Sequence, residues 1–306
     1  MLGHRPQASK LSPVRRLISV SRVGVWANGD DMLIRGGFDI TYDCPAPASA
    51  VLTLNVHPTR RADLQTPDSL TNDRGVAMPQ YIDGFGNICT RVILPAGLTT
   101  FSSDFLITDS GQPDDVAEHA KLTPIQDLPD DVMVYLLGSR YCETDRMSEL
   151  AWSLFGKTPP GWARVQSIVD YTHERITFGY PHARATRTAW EAHEERLGVC
   201  RDYAHLAVTL CRCMSVPARY CTGYLGDIGV PYSDAPMDFS AWFEAFLDGA
   251  WHTFDARHNT PRIGRILIAR GRDATDTAIA TTYGAATLTG FKVVTDEVAA
   301  NAAASA

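Results

Sequence analysis

Two kinds of hydrophobic periodicity divide this chain. Between Met32 and about residue 110, apolar positions recur at every second residue, as in LIRGGFDITYDC and TTFSSDFLITD. Alternation of this kind is typical of half-buried strands, and turn signals such as Asp83-Gly84 separate the segments. Short strands without a helical pattern predict a small β-sandwich domain, which we place at residues 32–125.

The period changes to that of helices after a connection rich in proline and aspartate. One short helix is predicted over MSELAWSLFG, a second after Pro159-Pro160-Gly161, and a third from Cys200 to a stop at Pro217. The segments ARYCTGYL, FSAWFEAFL and WHTFD then alternate as strands. We therefore predict an α+β domain over residues 126–298, a poorly patterned extension at 1–31 and a frayed tail at 299–306.

The dipeptide Asp248-Gly249 is a strong signal for a two-residue hairpin turn. With these residues as the loop, Trp242 lies opposite Asp255 and Ser240 lies opposite Arg257. Residues on one face of a strand differ by two, so Ser240 and Asp255 become diagonal neighbours on one face.

Cys200 is the first residue of the third predicted helix. Unpaired backbone N–H groups and the helix dipole favour the thiolate there, so we expect Cys200 to be a nucleophile with a lowered pKa. The apolar stripe of this helix, in phase with Cys200, contains Tyr203, Ala204, Ala207, Val208, Cys211 and Met214.

These segments, GVCRDYAHLAVTLCR followed by SAWFEAFLDGAWHTFDAR, resemble the core of the bacterial transglutaminase-like superfamily. Residues 32–110 resemble the β-sandwich domain that often precedes this core. The resemblance implies a papain-like α+β fold and a Cys-His-Asp triad that acts on amide or thioester carbonyls without a metal or organic cofactor. Cys200 matches the nucleophile and Asp255 the orienting carboxylate. Where the family has its histidine, this sequence has Ser240.

Serine is no general base near pH 7, so an active enzyme needs a substitute. His258, just beyond Asp255, is one candidate if the chain bends after the strand. His182 and His193 are others, because they precede Cys200 in a segment expected to line the cleft. His205 is expected on the far side of the helix from Cys200, and His252 faces away from Asp255.

Three hypotheses follow from Ser240. The leading one is an enzyme that performs acyl transfer or amide hydrolysis through a Cys200 thioester. The second is a catalytically silent member that binds peptide or amide ligands in the same cleft. The third is that Ser240 is a deliberate substitution that inactivates an enzyme.

Composition narrows the partners. A formal charge of −7 and a pI near 5.7 argue against nucleic acid and anionic membranes, which leaves a peptide, a protein or a small amide or thioester as substrate. No apolar run reaches the length of a membrane span.

Seven scattered cysteines, without metal-ligand spacing, indicate a reduced cytoplasmic protein. Arg15-Arg16 before LISVS is similar to a twin-arginine export signal, but Arg22 interrupts the apolar run, and Met32 is a candidate start of the functional chain. The segment with Arg262, Arg265, Arg270 and Arg272 is either a structural element with solvated arginines or a rim that attracts an acidic substrate.

Overall fold

The computed structural model describes residues 32–233 and 237–298. Its strands are β1 (Met32–Cys44), β2 (Ala48–Leu52), β3 (Thr71–Asn72), β4 (Gln80–Ile82), β5 (Ile88–Leu94), β6 (Gly97–Asp109), β7 (Thr177–Phe178), β8 (Leu197–Gly198), β9 (Ala218–Tyr224), β10 (Ser240–Leu247), β11 (Ala250–Phe254), β12 (Ile266–Gly271), β13 (Ala280–Tyr283) and β14 (Thr287–Glu297). Its α-helices are α1 (Thr144–Phe155), α2 (Trp162–Arg175), α3 (Ala189–Glu195) and α4 (Cys200–Cys213). The predicted extension 1–31 and tail 299–306 lie outside the described residues.

The N-terminal part is the predicted β-sandwich. One sheet has the order β14-β1-β6-β3 and the other the order β13-β2-β5-β4. The inward positions of both sheets, among them Ile34, Leu52, Leu94 and Phe105, form one buried apolar cluster. The alternation read from the sequence thus places one side chain in two between the sheets.

The sandwich also takes up the C-terminal strands, which the sequence analysis had assigned to the core. β14 pairs antiparallel with β1, so that Ile34 lies opposite Glu297, and β13 pairs with β2, so that Ala280 lies opposite Leu52. The predicted core of 126–298 therefore extends too far at its C-terminal end. Strand alternation identifies a strand but not its partner, and here the partner precedes the whole core.

The core domain is built around α4. The stripe predicted for this helix is buried, and it packs against α1, α2, α3 and the sheet β11-β10-β9-β12. Phe243, Ala245 and Leu247 on one face of β10 lie in the same apolar cluster as Leu206 and Leu210 of the helix. This packing confirms the α+β core and fixes the N-terminal end of α4 beside the start of β10.

The hairpin β10–β11 has the predicted register, with Phe243 opposite Phe254 and Leu247 opposite Ala250. Asp248 and Gly249 both have positive φ, at 50° and 81°, which a type I′ turn requires. Pairing stops at Phe254, one pair short of the expected Trp242–Asp255 pair. Beyond that point β10 remains paired with β9 on its other edge, where Ser240 lies opposite Gly223, so the β10–β11 hairpin opens at the end near α4.

No helix within the ranges 32–233 and 237–298 is both long enough and apolar enough to cross a bilayer.

Candidate active site

The start of α4 is fixed by a buried carboxylate. Asp202 accepts a hydrogen bond from the backbone N–H of Val199 at 2.9 Å, and Arg187 neutralises it at 3.1 Å. A Cβ on Gly198 would lie only 2.7 Å from the Cβ of Asp202, so the chain can enter this cap only through glycine. These contacts make Cys200 the first helical residue.

Cys200 is half-buried and packs against Ala204, Tyr220 and Ala241. Burial raises the pKa of its thiol to about 11, although Arg257 and the backbone N–H of Ala241 favour the thiolate. The pKa of the thiol is therefore raised, whereas the helix terminus predicted a lowered one. Desolvation in the pocket outweighs the helix dipole, and the thiol is protonated at neutral pH.

Cys200 opens onto a pocket of about 310 Å³. Ser240, Arg257 and His258 line the same pocket, together with Tyr180. The pocket therefore brings together the cysteine, the residue that replaces the family histidine, and one of the three candidate bases.

His258 is held by Asp255 in a tight turn after β11. The carboxylate Oδ1 accepts the backbone N–H groups of Arg257 and His258, both at 3.0 Å, and Oδ2 lies 2.8 Å from Nδ1 of the His258 ring. The turn closes with the N–H of Asn259, at φ 50°, on the carbonyl of Asp255. The bend after the strand thus returns the ring of His258 to its own strand end.

The protonation state of Asp255 decides the tautomer of His258. Burial alone would raise the pKa of this carboxyl, but the hydrogen bond from His258 and the charge of Arg265 outweigh it and hold the pKa well below its usual range. An ionised carboxylate only accepts hydrogen bonds, so Nδ1 of His258 carries the proton. Nε2 is then the basic atom of the ring.

Arg265 is the second charged partner of Asp255. Its Nη2 donates to Oδ2 of Asp255 at 2.9 Å, and its Nε lies 2.9 Å from both carboxylate oxygens of Asp114. Its guanidinium also lies 5.0 Å from the ring centre of Trp242. Arg265 is buried between two carboxylates, so it is not part of a solvated rim.

Comparison with known proteins agrees with this geometry. Residues 149–256 match the sequence model of the transglutaminase-like superfamily. The core therefore resembles this superfamily in sequence. A crystal structure of a candidate cysteine protease from Cytophaga hutchinsonii is 29% identical, with a TM-score of 0.76, over 89% of this chain and 92% of that one. An uncharacterized protein of Mycobacterium leprae is 25% identical over 252 residues, which cover 78% of this chain and 87% of the relative.

The transglutaminase-like match includes Cys200, Ser240 and Asp255 and ends before His258. Ser240 is buried, and its hydroxyl has no hydrogen-bond partner within the described part of the chain. The histidine that accompanies Asp255 in this core therefore lies outside the region that the superfamily match covers.

The other two candidate bases lie elsewhere. His193 is buried in α3, where its ring nitrogens contact the Tyr171 hydroxyl at 3.2 Å and the Arg175 guanidinium at 3.3 Å. His182 ends a short 3-10 segment. Neither is among the described residues that line the Cys200 pocket.

His205 lies inside the core, on the same helix as Cys200. It stacks between the rings of Tyr141 and Tyr220, and its Nε2 accepts the backbone N–H of Ala274 at 3.1 Å. Burial lowers its pKa, so the ring stays neutral as a packing residue. His252 contacts Trp162 edge-on, with 5.7 Å between the ring centres.

Sequence reasoning missed Arg265 as a partner of Asp255, and it missed Asp114 altogether. Asp-x-x-His at a strand end is a sequence signal for an Asx turn, and this signal would have favoured His258 over the other candidate bases. Asp114 lies in the connection after β6 and meets Arg265 across 151 positions of sequence, so local pattern carries no sign of the pair.

Proposed function

We propose that this protein is a cysteine hydrolase or acyltransferase in which Cys200 is the nucleophile and His258 is the general base. One observation carries the proposal: the ring of His258 is held 2.8 Å from Asp255 in the pocket that Cys200 lines. The pair supplies the base and orienter of a triad, although the histidine follows the aspartate instead of preceding it.

The raised pKa of Cys200 means that the thiol needs a general base. A thiol with a pKa of about 11 is protonated at pH 7, so it attacks a carbonyl only when a neighbour takes its proton. Nε2 of His258 accepts this proton as the sulfur–carbon bond forms. Asp255 stabilises the resulting imidazolium through Nδ1.

The imidazolium then returns the proton to the leaving amine or thiol, and a Cys200 thioester remains. Attack by water completes hydrolysis, whereas attack by an amine completes acyl transfer. The N-terminal end of α4 lies at the reacting carbon, and its amide dipoles favour the negative charge that develops on the carbonyl oxygen.

A peptide, a protein or a small amide or thioester is the proposed substrate, and the candidate cysteine protease from Cytophaga hutchinsonii supports this class. A cytoplasmic location is proposed because all seven cysteines are free thiols, as expected in a reducing compartment.

A second candidate function is the binding of a peptide or amide without turnover. The protonated thiol and the unpaired hydroxyl of Ser240 favour this alternative, since both can act as hydrogen-bond partners for a ligand that is not cleaved.

The rate of Cys200 alkylation by iodoacetamide, followed against pH by peptide mapping, separates the two functions. The other six cysteines are buried, so Cys200 reacts first. With His258 as base, we expect one rise in rate well below the thiol pKa of about 11 and a second rise towards pH 11. A His258→Gln variant should lose the first rise, with a drop of about 10²–10⁴-fold at pH 7.

His182→Gln is the matched control, because His182 lies outside the pocket lining and should leave the profile unchanged. A profile for His258→Gln that coincides with the unmodified protein would remove His258 as the base. A Ser240→His variant tests the position used in the family: a new rise at lower pH would show that this position can still activate the thiol.

A further inference from the structure

One oxygen of Asp255 contacts two side chains. Oδ2 lies 2.8 Å from Nδ1 of His258 and 2.9 Å from Nη2 of Arg265. Arg265 is permanently charged, so its positive charge offsets part of the electrostatic stabilisation that the Asp255 carboxylate gives to a protonated His258. The arginine therefore opposes protonation of the base.

Asp114 opposes Arg265 in turn. Both of its carboxylate oxygens lie 2.9 Å from Nε of Arg265, whereas Asp255 binds Nη2. The backbone fixes Asp114 through Arg262: the N–H of Arg262 donates to Oδ2 of Asp114, and the N–H of Asp114 donates to the carbonyl of Arg262, both at 2.9 Å. The four side chains form one chain of alternating charge: Asp114, Arg265, Asp255 and His258.

We propose that Arg265 and Asp114 are positioning residues that set the basicity of His258 through Asp255. The proposal rests on the proposed function, in which His258 is the base. Arg265 lowers the basicity of the ring because its positive charge lies at the oxygen of Asp255 that also binds the ring. Asp114 restores part of this basicity because its negative charge offsets that of Arg265.

Other charges face these groups as well. Asp255 is also near Arg262 and Arg257. The pocket that His258 lines also contains the thiol of Cys200, the phenols of Tyr180 and Tyr232, and Arg257. The pocket carboxylates are Asp227, Asp238 and Asp296. Among these pocket groups, Arg257 donates its backbone N–H to Oδ1 of Asp255, whereas the side chains of Arg265 and His258 share Oδ2.

The chain of charges predicts opposite shifts from its two ends. Arg265→Met removes the positive charge beside Asp255, so the carboxylate stabilises the imidazolium of His258 more strongly. The acid limb of Cys200 alkylation, which is the lower-pH rise assigned to His258, should then move up by about one pH unit. Removal of the negative charge in Asp114→Asn strengthens the hold of Arg265 on Asp255. The acid limb should then move down, by a fraction of a unit. A purely structural role would change the alkylation rate without moving the limb in opposite directions.

The experiment measures the pH profile of iodoacetamide reaction at Cys200 in the full chain, for both variants. Circular dichroism confirms that each variant is folded. Arg35→Gln is the control, because Arg35 forms an exposed ion pair with Asp104 at 2.7 Å in the sandwich and should leave the profile unchanged. If Arg265→Met does not fold, the downward shift of Asp114→Asn decides alone.

Opposite shifts support the proposal, and unchanged limbs in folded variants overturn it. The failure of the proposed function looks different: in that case His258→Gln already leaves the profile of the otherwise unmodified protein intact. A limb that depends on His258 but not on Arg265 or Asp114 rejects only the tuning by these two residues.

Discussion

Two parts of the site are built differently: the front, which is the lining of the Cys200 pocket, and the rear, which is the network of Asp255, Arg265 and Asp114 that holds His258. At the front, the hydroxyl of Ser240 is buried without a hydrogen-bond partner in the described chain, and the thiol of Cys200 is half-buried. At the rear, Asp255, Arg265 and Asp114 are joined by contacts of 2.9 Å. The difference shows that the rear is tied into the folded framework, whereas the hydroxyl of Ser240 at the front is not hydrogen-bonded to any described residue.

The rear should dominate stability. Asp255→Asn leaves the buried charge of Arg265 with one counterion instead of two and weakens the hold on His258, so we expect a loss of about 3–5 kcal/mol in the free energy of unfolding. Urea denaturation measures it. Asp104→Asn, in the exposed pair with Arg35, is the control and should cost no more than about 1 kcal/mol. Equal losses in the two variants would erase the distinction between a buried network and a surface pair.

Acid should expose the same difference. The folded-state pKa of Asp255 lies below its unfolded value of about 3.9, so its contribution to stability is present above that pH and is lost as the pH falls further. We expect the melting temperature to fall more steeply below pH 4 in the unmodified protein than in Asp255→Asn. Parallel curves would mean that other carboxylates carry the acid sensitivity.

The front should tolerate change. Cys200→Ser replaces a half-buried thiol with a hydroxyl, and we expect it to change the free energy of unfolding by less than about 1 kcal/mol while it abolishes alkylation at this position. Thermal melts and peptide mapping of the same sample test both statements. A loss as large as that of Asp255→Asn would make Cys200 a structural residue.

The smallest effect is expected at Ser240. Its hydroxyl has no partner among residues 32–233 and 237–298, so Ser240→Ala removes an unsatisfied buried group and should be neutral or stabilising by up to about 1 kcal/mol. Ser103→Ala in the sandwich is the matched variant, because its hydroxyl is also buried and unpaired among the described residues. A clear destabilisation at Ser240 alone would indicate a polar contact that the hydroxyl makes in solution.

The sequence predicted what local pattern controls. The periodicity of α4, the Asp248-Gly249 turn and the register from Leu247–Ala250 to Phe243–Phe254 depend on neighbouring residues, and the structure confirms them. Other features depend on contacts between distant segments. The raised pKa of Cys200 arises from burial by several elements, so a helix terminus alone predicted the wrong direction.

The same reasoning applies to His258, the proposed base. The superfamily pattern drew attention to position 240, but the orientation of His258 depends on a turn whose geometry only the folded chain reveals. The C-terminal strands and Asp114 follow the same rule, since their partners lie far away in sequence.

The pairing of β1 with β14 sets an order on biosynthesis. β1 ends at Cys44, but β14, which pairs with one of its two edges, begins only at Thr287, after the whole core has been translated. At about 5–20 residues per second, the nascent chain carries this open strand edge for tens of seconds. The core can fold while translation continues, and the pairing of β14 with β1 is then the last step of folding. During this interval, the unpaired edge of β1 can pair with a strand of another chain. When the eleven-residue strand β14 pairs with it, this edge is covered and self-association through it is prevented.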